Sequence, residues 1–294
     1  MKPTYKKVER VLPPVAPNWV GNGFRVHNFF PSGYKISREM SPFYLLDYNS
    51  KIDLSGSEKP RGVGVHPHKG FETVTIAYHG VIAHEDSFGN KGIIRDGGVQ
   101  WMTAGAGILH KEFHEEKFQK GGGPFQMVQL WVNLPAKDKS APPSYQDISH
   151  EDKGVYESSD GLIKVFVIAG DYEGVKGPAS TFTRIDLFDI VLHRGGELTI
   201  PVDSFSNTGI LVVEGQVKVN KEKEALQDHF VLFNSKGEGD TVKLFASEDS
   251  RILFLDGDPI NEPIAQYGPF LMNSMEEIQE AMMEFRKGKY GHLE

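Results

Sequence analysis

From about residue 20 to residue 260 the chain is patterned with a period of two, which commits it to β-structure. In Thr73-Val74-Thr75-Ile76-Ala77-Tyr78, the residues Val74, Ile76 and Tyr78 fall on one face, the spacing of a pleated strand and not of a helix. His79-Gly80 turns the chain into Val81-Ile82-Ala83-His84-Glu85. Asp86-Ser87-Phe88-Gly89-Asn90 and Asp96-Gly97-Gly98 are further turn clusters. Phe125 to Val132 reads as another strand. Short strands with turns roughly every 8–12 residues predict an all-β sandwich or barrel.

A length of 294 residues favours two domains at roughly 100–200 residues each. Residues 135–153 hold three prolines and many charges and are the best linker. Beyond them strand-like segments resume at Ile163–Ala169, Phe182–Leu192, Ile210–Val219 and Arg251–Leu255. The segments Thr75–Ile82 and Ile210–Val217 are alike: an apolar strand, a polar residue with glycine, then a return strand. This likeness points weakly to an internal duplication. The sequence therefore predicts two β-rich halves, an N-terminal one over 1–137 and a C-terminal one over 138–294. The second ends in a helix at about 274–287. Ser274 and Glu277 have capping-box spacing, Met275, Ile278, Met282 and Phe285 share a face, and Arg286-Lys287-Gly288 is a stop signal.

No cysteine is present, so disulfides, thiolate nucleophiles and thiolate metal ligands are excluded. Any metal must be held by nitrogen and oxygen. The net charge of −8 argues against direct nucleic-acid binding, which needs a basic face. It is unevenly placed: residues 1–147 carry 18 basic and 14 acidic side chains, a balance of +4, and residues 148–294 carry 14 and 26, a balance of −12. No apolar stretch is long enough to span a membrane, and the start of the chain has no apolar signal region. The expected compartment is the cytoplasm, or the nucleus in a eukaryote.

Eleven histidines occur, and His66, His68, His79, His84, His110 and His114 crowd one window. Two local pairs stand out: His66-Pro67-His68 after Gly62-Val63-Gly64-Val65, and His110-Lys111-Glu112 after Gly105-Ala106-Gly107-Ile108-Leu109. Residues i and i+2 of a strand project from one face, so each pair can converge on one ion. Two such strands side by side offer three imidazoles and a carboxylate, leaving positions open for substrate or dioxygen. Pro67 cannot donate to a central ladder, which places the first pair at a strand start or a sheet edge.

The run Gly64-Val65-His66-Pro67-His68-Lys69-Gly70-Phe71-Glu72-Thr73-Val74 resembles the first cupin motif as the pirin family writes it. The resemblance continues through Ala83–Ser87, Val99–Glu112 and Gln129–Pro135. Ser41–Asp47 upstream and Gly268–Ser274 with the final helix downstream extend it over nearly the whole chain. It implies two tandem cupin (jelly-roll) barrels with one metal, in the first barrel only. By motif position His66, His68, His110 and Glu112 are the ligands. It further implies iron(II), with manganese, nickel, cobalt, copper and zinc equally suited to the donor set. The implied activity is cleavage of flavonols such as quercetin by dioxygen with release of carbon monoxide. Other members are described as regulators that bind protein partners. This chain departs from the family pattern at Lys69 and Ala106, where arginine is common, and around Lys111-Glu112-Phe113-His114.

Glu112 is also the candidate base for a flavonol 3-hydroxyl. Glu72 is expected behind the ligands or outside the site. His79 and His84 read as hairpin-surface residues, and His114 as a rim residue at most. Trp101, Met102 and Phe125 fit a pocket wall and a core equally. Gly121-Gly122-Gly123-Pro124 reads as a flap or a slack hairpin loop. Aligning Gly215 with Gly80 sets Pro201 and Asp203 where His66 and His68 stand, and Asn207 opposite Glu72, so the second barrel is expected to be metal-free. His193 and His229 are isolated. Three functions remain: a dioxygenase acting on a small aromatic substrate and O2, a metal- or redox-responsive regulator with a protein partner, and a non-oxidative cupin enzyme such as an isomerase.

Overall fold

The computed structural model describes residues 4–294, so the first three residues of the N-terminal segment lie outside it. The chain forms two compact units, each assembled from separated segments. One comprises Ala16–Lys35, Phe43–Glu151 and Ile260–Glu294; the other comprises the chain up to Val15, Ile36–Pro42 and Asp152–Pro259. The division differs from the consecutive halves 1–137 and 138–294 expected from the sequence. The terminal helix belongs with the first set of strands, and the N-terminal strand Val8–Leu12 pairs with Phe230–Phe233 in the second. We call these the histidine-bearing unit and the second unit.

Each unit has a seven-stranded and a four-stranded antiparallel sheet with the same strand order. In the histidine-bearing unit the larger sheet runs Ser144–Ile148, Val99–Thr103, Phe71–His79, Gly122–Asn133, Phe43–Ser55, Phe24–Phe30 and Asn18–Val20. Its smaller sheet runs Gly62–His68, Ile108–His114, Ile82–Asp86 and Lys91–Ile94. In the second unit the smaller sheet runs Glu197–Pro201, Thr241–Ala246, Gln216–Val219 and Lys223–Leu226. There Asn207–Glu214 takes the place of Phe71–His79, and Ser250–Gly257 that of Gly122–Asn133. The fold is two cupin barrels, and the matching orders support the duplication.

The two look-alike segments are corners, not hairpins. Phe71–His79 lies in the large sheet and Ile82–Asp86 in the small one, and Asn207–Glu214 and Gln216–Val219 are divided in the same way. Gly80 (φ +93°) and Gly215 (φ +73°) sit at these corners in conformations that other residues rarely adopt. The linker segment is likewise more than a connection: Ser144–Ile148 pairs with Val99–Thr103 as an edge strand. Nor is Gly121–Pro124 a flap. Gly122, Gly123 and Pro124 pair with Ser55, Leu54 and Asp53, after the short helix Glu116–Gly121.

The terminal helix spans Met275–Arg286 with the capping box Ser274–Glu277 formed. Ile278 and Ala281 are buried with Leu109, Phe270, Met272 and Tyr290. The face read from periodicity holds at its centre only, because Met275 in the first turn and Phe285 in the last are 49% and 41% exposed. Among the described residues no helix is long and apolar enough to cross a membrane.

The two interiors differ. Between the sheets of the second unit lies a hydrocarbon core that includes Val165, Val167, Phe188, Ile190, Ile210, Val212, Val231 and Phe254. In the histidine-bearing unit, buried apolar side chains such as Phe24, Ala77, Phe125 and Met127 share the interior with buried His68, Thr75, His84, Gln100, His110 and Glu112. Burying polar groups is costly, and among the described residues the histidine group lies in this unit.

Candidate metal centre

The strands Gly62–His68 and Ile108–His114 pair antiparallel, with His110 opposite His66 and Ile108 opposite His68. Gly62–His68 is an edge strand, which is where Pro67 is tolerated. Alternation turns His66 and His68 to one face, and the register brings His110 beside them. Ring centroids lie 4.2 Å apart for His66–His110 and 4.8 Å for both His66–His68 and His68–His110. One ligand atom from each falls within 4.8 Å of the others. Glu112 is not in that group. A shift of register separates it from His110, and its carboxylate accepts from Thr75 Oγ1 and Gln129 Nε2 at 3.4 Å each.

Hydrogen bonding settles which nitrogens are free. His66 Nδ1 lies 2.8 Å from the Gly64 carbonyl oxygen and His68 Nδ1 3.3 Å from that of Pro269. A carbonyl can only accept, so both Nδ1 atoms carry the proton and both Nε2 atoms keep a lone pair. His110 is fully buried, and neither ring nitrogen has a hydrogen-bond partner among the described residues. Burial holds the pKa of His68 and His110 well below the usual imidazole value and lowers that of His66, with the neighbouring rings adding to the effect at His68 and His110. All three are neutral near pH 7 and able to ligate. The residues fit a metal ion: three neutral imidazoles converge, and the innermost has no other use for its lone pair. Burial pushes the Glu112 carboxyl up to about 7 against the opposing bonds from Gln129 and Thr75.

Side chains to which the sequence assigned no role complete the surroundings. The ring of Phe71 lies 5.0 Å from that of His68, and half-buried Trp131 lies 5.4 Å from His68 and 4.3 Å from Phe71. Phe71, Thr75, Gln129 and Trp131 occupy alternate positions of two paired strands, so the period of two could have grouped them. Glu72 lies on the opposite face of its strand from Phe71 and Thr75, and its Oε1 accepts from Thr103 Oγ1 at 2.7 Å. It is outside the imidazole group.

His84 is not a surface residue. It is 4% exposed and stacked on Tyr145, whose hydroxyl is hydrogen-bonded to its Nε2. Tyr145 comes from the proline-rich segment, which carried no signal for it. His114 packs against Phe24, Phe118 and Phe125, with its Nε2 3.0 Å from the Gly23 carbonyl oxygen. It also lines an open crevice of about 730 Å³ with Val65, Lys111 and Phe113. Trp101 and Met102 are fully buried, and Phe125 packs in the apolar cluster with Phe24 and Met127.

Lys69 and Ala106, two of the departures from the family pattern, meet each other. Lys69 Nζ donates to the Ala106 carbonyl at 2.9 Å and to Glu284 Oε2 at 2.8 Å.

In the second unit Thr241 stands opposite Pro201, the place His110 holds opposite His66. The buried ammonium of Lys6 donates to the carbonyls of Asp203 and Ser206 at 2.7 Å each. Asn207, the counterpart of Glu72, donates to the Ser41 carbonyl at 2.7 Å. His193 is half-exposed beside Asp249, and the His229 ring lies against the Gln227 carbonyl.

Comparison with known proteins agrees with the fold. Residues 23–132 match the family model described as Pirin, and residues 187–291 match that of the Pirin C-terminal cupin domain. A Pseudomonas aeruginosa protein named as a candidate quercetin 2,3-dioxygenase is 40% identical over 290 residues, covering 97% of this chain and 98% of its own. The crystal structure of quercetin 2,3-dioxygenase from Acinetobacter baumannii superposes with a TM-score of 0.92 at 43% identity, covering 99% and 100% of the two chains. At 19% identity, the Escherichia coli pirin YhhW solved with nickel(II) shares the fold, with a TM-score of 0.62 over 85% of this chain and all of the other.

Proposed function

The chain belongs to the pirin family, and from that membership we propose that it is a metal-dependent dioxygenase that cleaves flavonols such as quercetin with O2 and releases carbon monoxide. The observation that carries this reading is the convergence of three neutral imidazoles, His68 and His110 buried and His66 partly so, on strands that also carry the buried Glu112, the one such group among the described residues. His66, His68 and His110 would hold the ion through nitrogen, and Glu112 would be the fourth ligand. We assign iron(II), on family grounds. A bound transition metal supplies Lewis acidity toward the enolic oxygen and a route for electrons to dioxygen.

The chain's own residues do the rest. Glu112, with a pKa raised to about 7, is poised to take the proton of the flavonol 3-hydroxyl onto a carboxylate oxygen near neutral pH. Thr75 and Gln129 hold that carboxylate. Phe71 and Trp131 offer flat apolar surface beside His68, suited to an aromatic substrate, and exclude water there. His66, the least buried of the three, marks the side from which substrate enters.

The test is an aerobic assay of iron-loaded protein with quercetin, following loss of flavonol absorbance and release of carbon monoxide. Turnover that disappears in His110→Ala supports the proposal. No turnover with iron, manganese, cobalt, nickel or copper overturns it in favour of the regulatory role.

A further inference from the structure

Behind the imidazoles, the polar interior of the barrel continues as a chain of hydrogen bonds that the proposed reaction does not use. His84 stands directly opposite Glu112 in the ladder between Ile82–Asp86 and Ile108–His114. Residues so opposed have Cβ atoms about 4.5–5.5 Å apart. The His84 ring lies flat on Tyr145, centroids 4.4 Å apart and planes at 22°. The Tyr145 hydroxyl is shared between His84 Nε2 and the Gln100 amide, whose Nε2 donates to it at 3.0 Å.

These contacts have a direction. The hydroxyl oxygen accepts from Gln100, so its single hydrogen is free to go to His84 Nε2, which then serves as acceptor. A neutral imidazole that accepts at Nε2 carries its proton on Nδ1. His84 Nδ1 is buried and has no hydrogen-bond partner among the described residues. A fixed, dry donor thus ends the chain next to Glu112, whose own two donors stand at 3.4 Å, beyond the usual range of about 2.7–3.2 Å.

We propose that Gln100, Tyr145 and His84 form a positioning device for the metal centre, in which His84 Nδ1–H takes hold of the Glu112 carboxylate and fixes the oxygen it presents to the ion. The proposal rests on the reading of Glu112 as the fourth ligand. His84 and Tyr145 touch neither substrate nor metal; they act through Glu112. Partners in this outer layer typically alter metal affinity about 10- to 100-fold when removed.

Two measurements test it. In metal-free protein labelled with ¹⁵N-histidine, the His84 ring should show the Nδ1–H tautomer, and Tyr145→Phe should lose it. In cobalt(II)-loaded protein, Tyr145→Phe and Gln100→Leu should weaken cobalt binding about 10- to 100-fold and shift the visible absorption bands of the ion, with the apo-protein melt little changed. His84→Asn, which keeps an N–H donor, should retain more affinity than His84→Leu. An Nε2–H tautomer in the wild type overturns the proposal, as does unchanged cobalt affinity and spectrum in both outer variants. Glu112→Gln separates the two levels. If it leaves the cobalt spectrum unaltered, the ligand reading fails and the device with it; if it alters the spectrum while Tyr145→Phe does not, the device alone fails.

Discussion

Replacing His110 by leucine should make the metal-free protein more stable. The imidazole is fully buried and both of its ring nitrogens lack partners among the described residues. An unsatisfied buried donor or acceptor costs about 1–3 kcal/mol, and His110 carries one of each. Leucine has a similar bulk and no polar atom, so it removes both penalties, while imperfect repacking takes back up to about 1.5 kcal/mol. The net expectation is a gain of about 0.5–6 kcal/mol. In a unit of this size that raises the melting temperature by roughly 2–4 °C per kcal/mol. The assay is a pair of thermal melts, with chelator and with metal. Metal at about 100 times its Kd should add about 2.7 kcal/mol to the wild type and nothing to His110→Leu, so the variant's advantage seen with chelator should shrink by that amount with metal. A metal-free variant less stable than wild type would mean that His110 is retained for packing. A variant that still gains stability from metal would place the ion elsewhere.

Further outcomes follow from the same geometry. Glu112→Ala should lose metal while keeping the fold, and Glu112→Gln should lower kcat/KM with quercetin by about 10²–10⁴; full activity in Glu112→Gln would remove Glu112 as the base. Burial raises the Glu72 carboxyl to about 7 from the ordinary glutamate value of 4.5. A group whose folded pKa is raised favours the protonated folded state, so its contribution is complete below pH 4.5 and is lost as pH rises through about 7. Glu72→Gln should therefore be more stable than wild type at pH 8, by on the order of 2 kcal/mol, with that advantage absent at pH 4 and metal content unchanged; loss of metal would return Glu72 to the site. Ser274→Ala breaks the capping box of the terminal helix and should cost about 1 kcal/mol, read from a urea melt. No measurable effect would show that the helix is held by Ile278 and Ala281 alone.

The barrels and the three histidines were legible because their signals are local. Alternation in Thr73–Tyr78 specifies a strand whatever lies beside it, and the His66-Pro67-His68 spacing already puts two imidazoles on one face. Corners were misread as hairpins because Gly80 and Gly215 look the same in sequence whether the next strand pairs with the last or crosses to the other sheet. Tyr145 was invisible because its role arises from the pairing of Ser144–Ile148 with Val99–Thr103, a contact across some 40 residues inside a proline-rich stretch. His84 was assigned to the surface because a hairpin there would expose it, whereas the corner turns it inward opposite Glu112. The terminal helix is legible from its cap and periodicity, but nothing in its own pattern names what it covers, which in the structure is Leu109, Phe270, Met272 and Tyr290.

The central claim is that one ion is held by His66, His68, His110 and Glu112. The most direct measurement is a crystal structure of the iron-loaded protein with anomalous data at the iron edge. The account predicts a single peak per chain, ligated by Nε2 of His66 and His68, one ring nitrogen of His110 and a Glu112 oxygen, with the Lys6 ammonium still between Asp203 and Ser206 in the second barrel. An ion coordinated without Glu112, or a second peak near Pro201 and Thr241, would contradict it.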